Sequence, residues 1–141
     1  WYGEPITKQG WAYHASLSFL GHLPGIKSQL SPLENLAWLA PGSTPAQRQH
    51  VLDEMGLAGL EDSACYRLSA GQKRRVALAR LYLQSTPLWI LDEPFTALDK
   101  TGVAQIEALL LSHAKAGGMV VLTTHHELGI HANPLHLGSI T

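Results

Sequence analysis

Four apolar residues followed by two carboxylates and a proline, Leu88, Trp89, Ile90, Leu91, Asp92, Glu93 and Pro94, constrain this chain more than any other segment. A short continuous apolar run fits a parallel strand buried on both faces, whereas a strand with one wet face alternates apolar and polar residues. Pro94 has no backbone N–H and stops the strand at once. The carboxylates therefore fall at the carboxyl end of a parallel strand, the edge where open α/β sheets bind ligands. Placed there without basic neighbours, Asp92 and Glu93 have the chemistry of a Mg²⁺ holder and a general base.

A second segment, Leu68, Ser69, Ala70, Gly71 and Gln72, opens a run of strong helix formers from Arg74 to Leu81. At such a helix start Ser69, Ala70 and Gly71 leave backbone N–H groups open and uncrowded, which suits phosphate oxygens. Short Gly/Ser turns before helices are common, and so are apolar strands ending in Asp. Both together, in this order and spacing, are specific.

The rest of the chain alternates between core and helical signals. Ser16–Leu20 has the composition of a strand. Ser31, Pro32 and Glu34 supply an N-cap, a first-turn proline and a capping-box partner for a helix carrying Leu33, Leu36, Ala37 and Leu39. Thr44 and Pro45 repeat the cap-plus-proline start for a helix with Val51, Leu52 and Met55 on one side, ending near Gly56. From Asp99, an N-cap, a long helix presents Val103, Ile106, Leu109 and Leu110 and stops at Ala116, Gly117 and Gly118. Met119–Thr123 then forms the next buried strand, and His136–Thr141 has the pattern of one more. The strand, helix, strand alternation belongs to a parallel βαβ arrangement.

At 141 residues and 45% hydrophobic content the chain suits one globular domain, and a formal charge of −1 argues against a general nucleic-acid binder. No apolar stretch reaches the length of a membrane span. Cys65 is the single cysteine, so no internal disulfide forms, and a packing role is expected for it. His14, His50, His113, His131 and His136 are expected to be solvated or capping residues, and His126 a surface residue.

The two opening segments resemble the signature motif and Walker B strand of the ATP-binding cassette family. Phe95–Asp99 is similar to that family's D-loop, and Val120–His125 to the last core strand leading into its switch histidine. Counting back from Ser31 places His22 where the family usually has the Q-loop glutamine, a departure. The resemblance implies an α/β fold of the P-loop NTPase type, with a partial parallel core sheet and an inserted helical subdomain. Residues 1–30 would be a remnant of the nucleotide-binding core with the Q-loop region, residues 31–86 the helical subdomain, and residues 87–141 the α/β core. It further implies that Asp92 helps hold Mg²⁺, that Glu93 polarises the attacking water, and that His125 reaches a terminal phosphate oxygen. Ser69, Ala70, Gly71 and Gln72 would face the γ-phosphate of ATP held by a second ATPase subunit, with Asp99 lining the same interface and His22 near the nucleotide.

No G-x-x-x-x-G-K-[ST] sequence occurs in the 141 residues. The chain is read as truncated at its amino terminus, with Trp1–Ile6 resembling the end of a cassette β-hairpin, and is expected to be inactive alone. More closely, Gly21–Leu36, Leu68–Leu81, Leu88–Asp99 and Thr123–His126 resemble the ATP-binding subunits of bacterial haem-exporter complexes of c-type cytochrome maturation. That subfamily shares the His22 departure. The resemblance implies an integral membrane subunit as partner and a peripheral position on the cytoplasmic face of the inner membrane. No C-x-x-C-H motif is present, so direct haem binding is not expected. Two other readings stay open: a catalytically inactive binding or regulatory module, motivated by the absent phosphate loop, and a non-transport cassette ATPase. The repair types of the latter insert long coiled coils, for which the stretch between His22 and Leu68 leaves no room.

Overall fold

The computed structural model describes residues 1–135. The elements run α1 (Ile6–Ala15), β1 (Leu17–Leu20), α2 (Pro32–Leu39), α3 (Pro45–Glu54), a 3₁₀ turn (Cys65–Arg67), α4 (Ala70–Leu83), β2 (Leu88–Asp92), α5 (Lys100–Lys115) and β3 (Met119–Thr123). The three strands form one parallel sheet in the order β1-β2-β3, with β2 central. The strand expected at His136–Thr141 lies outside the described residues.

The helix starts follow from local chemistry. Ser31 and Glu34 form the full capping box on α2, and Thr44 and Gln47 form one on α3, each with proline in the first turn. Asp99 caps α5 by accepting from the Gly102 N–H at 2.8 Å. Leu36, Val51, Leu52, Met55, Ile106 and Leu110 are buried, as their helical spacing requires.

The sheet has one covered and one open face. The Trp89 and Leu91 side joins α4 and α5 in the core, with Leu20, Val76, Leu78 and Ile106. Side chains two residues apart share a face, so the in-register row Phe19, Ile90 and Val121 lies on the opposite side. There Phe19 is 58% exposed, Val121 45% and Met119 53%. Two expectations are corrected here: β2 is not buried on both faces, since Ile90 is only half-buried, and β3 is not a buried strand. Its apolar sequence is that of a two-sided strand, but no described element covers its second side.

The first fifteen residues also differ from expectation. Trp1–Ile6 contains no hairpin strand: the Glu4 N–H donates to the Trp1 carbonyl at 3.1 Å in a turn, and α1 follows. A lone strand without a sheet partner leaves its polar backbone unpaired, so local turn and helix bonds prevail. His113 is not solvated either. Its ring stacks on Trp89, with centroids 3.7 Å apart and planes at 8°. Gly118 makes room for it, because a Cβ there would come within 2.2 Å of His113 Nε2. Cys65 is fully buried and free, and burial pushes its thiol pKa up.

Candidate functional site

Parallel pairing of β2 with β3 sets the carboxylates beside the end of β3. Asp92 is in register with Thr123, whose hydroxyl donates to Asp92 Oδ1. The Glu93 N–H donates to the Thr123 carbonyl at 3.0 Å. Glu93 has φ +48°, a left-handed conformation that costs a residue with a Cβ on the order of 1 kcal/mol. This turn brings the Glu93 carboxylate to His125, whose backbone N–H donates to Oε2 at 3.2 Å and whose Nε2 lies 3.5 Å from Oε1. The carboxylate is 20% exposed and the imidazole 99%. The sheet edge thus joins Asp92, Glu93 and His125, which lie more than thirty residues apart at the extremes.

Asp92 and Thr123 offer oxygen donors only, and Asp92 Oδ2 makes no hydrogen bond among the described residues. That is the donor chemistry Mg²⁺ takes, usually one or two carboxylates completed by waters and phosphates.

The signature segment begins α4. Ser69 is the N-cap: its Oγ accepts from the Gln72 N–H at 3.2 Å, and Gln72 Oε1 accepts from the Ser69 N–H at 2.9 Å. The side chains of Ser69 and Gln72 therefore close a capping box. The Ala70 and Gly71 amides, in the first turn, have no intrahelical acceptor. Gly71 is not uncrowded, as its sequence context implied. A Cβ there would sit 2.6 Å from the Ala97 carbonyl, so its glycine lets the segment after Pro94 approach the helix. Asp99, at the end of that segment, accepts from Arg75 Nη2 at 2.6 Å besides capping α5. The Gly102 N–H first, and the Arg75 guanidinium as well, hold its carboxyl below the usual range.

Three residues outside the expected set organise the site. Arg74, 2% exposed, donates to the backbone carbonyls of Gly21, His22, Asp92, Glu93 and Pro94. Arg80, one and a half turns on, donates to the Phe19 carbonyl at the end of β1. Asn35, wholly buried, accepts from the Lys27 N–H at 2.7 Å and donates to the Lys27 and Ser31 carbonyls at 3.0 Å. Beside it the Cys65 N–H donates to the Leu30 carbonyl at 2.9 Å and the Tyr66 N–H to the Ser28 carbonyl at 2.8 Å. The loop after β1 is thereby tied to the segment entering the signature helix. His22 takes part through its carbonyl, while its exposed side chain makes no hydrogen bond among the described residues. The sequence carries no signal that singles out Arg74, which is the middle of three consecutive basic residues, Lys73, Arg74 and Arg75.

These features have counterparts in known proteins. A family model described as ABC transporter matches residues 1–96. The cytochrome c biogenesis ATP-binding export protein CcmA of Pseudomonas fluorescens (strain Pf0-1) is 57% identical over 129 residues, 89% of this chain and 61% of that protein. The CcmA of Hahella chejuensis (strain KCTC 2396) is 48% identical over 146 aligned positions, 100% of this chain and 69% of that protein. The chain thus spans about three fifths of the length of the Pseudomonas relative. Among solved structures, an ATP-binding cassette determined as a dimer in a post-hydrolysis state with ADP and Pi bound has a TM-score of 0.70 and 24% identity. The match covers 88% of this chain and 58% of that one, and it shows the shared fold. On the family match and these identities, the chain belongs to the ABC transporter family.

Proposed function

We propose that this chain carries the signature half-site, the catalytic carboxylates and the switch histidine of an ATP-hydrolysing subunit that energises an exporter of cytochrome c biogenesis. The observation that carries the ATPase reading is the Glu93 carboxylate held against the His125 backbone N–H and imidazole, one residue beyond Asp92. In this reading Glu93 accepts a proton from the attacking water, and His125 orients Glu93 and meets a terminal phosphate oxygen. Asp92, braced by Thr123, would hold Mg²⁺, which supplies charge neutralisation to the phosphates when bound. Ser69, Ala70, Gly71 and Gln72 present their helix start to a nucleotide held by a second ATPase subunit, and Asp99 lines that interface through Arg75. His22 stands near the nucleotide in place of a glutamine. The dimeric state of the solved cassette supports a paired arrangement.

Residues 31–86 act as the helical subdomain docking on an integral membrane subunit, residues 1–30 as part of the nucleotide-binding core and residues 87–141 as its α/β portion. The chain works peripherally, at the cytoplasmic face of a bacterial inner membrane; among the described residues no helix is long and apolar enough to cross one. Haem, or a haem-loaded chaperone released on the far side, is the cargo class, and the names of the relatives support the pathway. Because no G-x-x-x-x-G-K-[ST] loop occurs in its sequence, the 141-residue chain alone does not turn over ATP.

The test is a chimera in which a segment carrying a G-x-x-x-x-G-K-[ST] loop, taken from a cassette ATPase that hydrolyses ATP, precedes Trp1. It should hydrolyse Mg-ATP and restore haem-stained c-type cytochromes in a strain lacking its own ATP-binding subunit. Glu93→Gln should lower turnover by about 10²-fold or more while ATP-driven dimerisation persists. A chimera that binds ATP yet never hydrolyses it would instead favour the regulatory-module reading. Turnover without cytochrome rescue would leave a cassette ATPase of another pathway.

A further inference from the structure

A guanidinium has five N–H donors in a fixed fork, and in Arg74 every one has a backbone carbonyl. Nε donates to Pro94 at 3.2 Å, Nη1 to Gly21 at 3.0 Å and His22 at 3.1 Å, and Nη2 to Asp92 at 2.8 Å and to Glu93. No carboxylate side chain is used, so those of Asp92 and Glu93 remain directed at Thr123 and His125. Burial lowers the affinity of Arg74 for its proton, and the charges of Asp92 and Glu93 oppose that shift. Both ends of the left-handed Glu93 are therefore held: its N–H by Thr123, its carbonyl by Arg74.

We infer that Arg74 is a positioning residue that locks the carboxylate-bearing exit of β2 and the His22 loop onto the signature helix, so that the three move as one unit. Resting on the ATPase reading of Asp92 and Glu93, this means that a shift of the half-site offered to another subunit is felt at the chain's own carboxylates. The link is specific to the planar fork. A lysine keeps the charge but has three donors on one nitrogen, which do not span two carbonyl groups on opposite loops as the fork does.

Amide hydrogen exchange on the 141-residue chain separates this from a merely structural role. In Arg74→Lys, peptides covering residues 21–23 and 92–96 should both exchange about tenfold faster, while α2, α3 and α5 keep wild-type protection. Arg48→Lys, a control at a half-buried arginine of α3 that donates to the Ser43 carbonyl, should change neither loop. Uniform loss of protection across the core, or loss in only one of the two loops, would overturn the inference. A variant-free measurement covers the case in which Arg74→Lys does not fold. In the wild type, the Arg74 guanidinium protons should exchange slowly and show nuclear Overhauser contacts to both loops; fast exchange or contacts to one loop alone would overturn it. In the hydrolysing chimera, Arg74→Lys should cut kcat about tenfold with KM within about twofold. An unchanged kcat would reject the functional half of the inference. A wild-type chimera without turnover would count against the ATPase reading, and the exchange comparison would still decide the role of Arg74.

Discussion

The helices α1 and α4 are both written in helix-compatible residues, yet α4 buries Arg74, Val76, Ala77, Leu78, Ala79 and Leu81 while α1 buries nothing. Their ends differ in the same sense. The α4 start carries a reciprocal capping box, whereas Pro5 before α1 provides no side-chain cap. Inside α1, Gly10 leaves helical geometry altogether, with φ 48° and ψ −126°. What holds α1 is local: Gln9 Nε2 donates to the Trp1 carbonyl at 2.5 Å, and the Trp1 and Tyr13 rings meet edge-on at 6.2 Å. Helices of this length draw their stability from an apolar face packed on other elements more than from propensity. By that measure α4 is the mechanical centre of the described chain and α1 an appendage to it.

The comparison is easiest to break at its buried side. Leu78 is 0% exposed in the middle of α4, and Leu78→Ala should cost about 3 kcal/mol by urea denaturation, combining lost burial with the cavity left behind. A loss below about 1 kcal/mol would mean that α4 is not the anchor described. Next comes its cap. Ser69→Ala leaves the Gln72 N–H without its acceptor and should cost about 1 kcal/mol, seen as a lower denaturation midpoint at unchanged slope.

The tie from α4 to α5 has a pH signature. Asp99 is bonded to Gly102 and Arg75, and its folded carboxyl pKa lies below the ordinary 3.8. Its contribution is therefore complete above about pH 4 and is lost as pH falls through the lower folded value. Thermal melts of the wild type and Asp99→Asn should differ by a constant amount from neutral pH to about 4, and converge below it. A difference that grew under acid would contradict the assignment. The smallest effect belongs to α1. Trp11 is 81% exposed, and Trp11→Ala should change stability by less than about 0.5 kcal/mol. A larger loss would show α1 anchored after all.

Legibility in the sequence tracked the range of each interaction. The caps at Ser31, Thr44 and Asp99 link residues three apart, so the chain announces them directly. At Ser69 the same spacing closes a backbone N–H expected to be open, which donates to Gln72 Oε1. The strand ending in Asp92 and the placing of His125 just past the end of a parallel neighbour followed from apolar runs and parallel topology. Arg74 was hidden because its acceptors lie 18 to 20 residues later and 52 to 53 residues earlier. Nothing near Arg74 distinguishes it from Lys73 or Arg75, which are only half-buried. The stacking of His113 on Trp89 was hidden for the same reason, and the crowding of Gly71 depends on a carbonyl 26 positions away, at Ala97. The buried-strand expectation for β3 failed differently. Apolar composition records what a strand is suited to cover, not whether a layer is there, and Met119 and Val121 remain exposed.

By itself the sequence determined the starts of α2, α3, α4 and α5, the apolar strand β2 and the presence of two carboxylates at its end, because these depend on neighbours along the chain and on apolar periodicity. Only the tertiary structure decided which of three adjacent basic residues is buried, that its five donors join the His22 loop to the Asp92 and Glu93 turn, and which sheet face stays open. Those outcomes depend on backbone carbonyls, which every residue type carries alike, and whose positions are set only when distant segments pack.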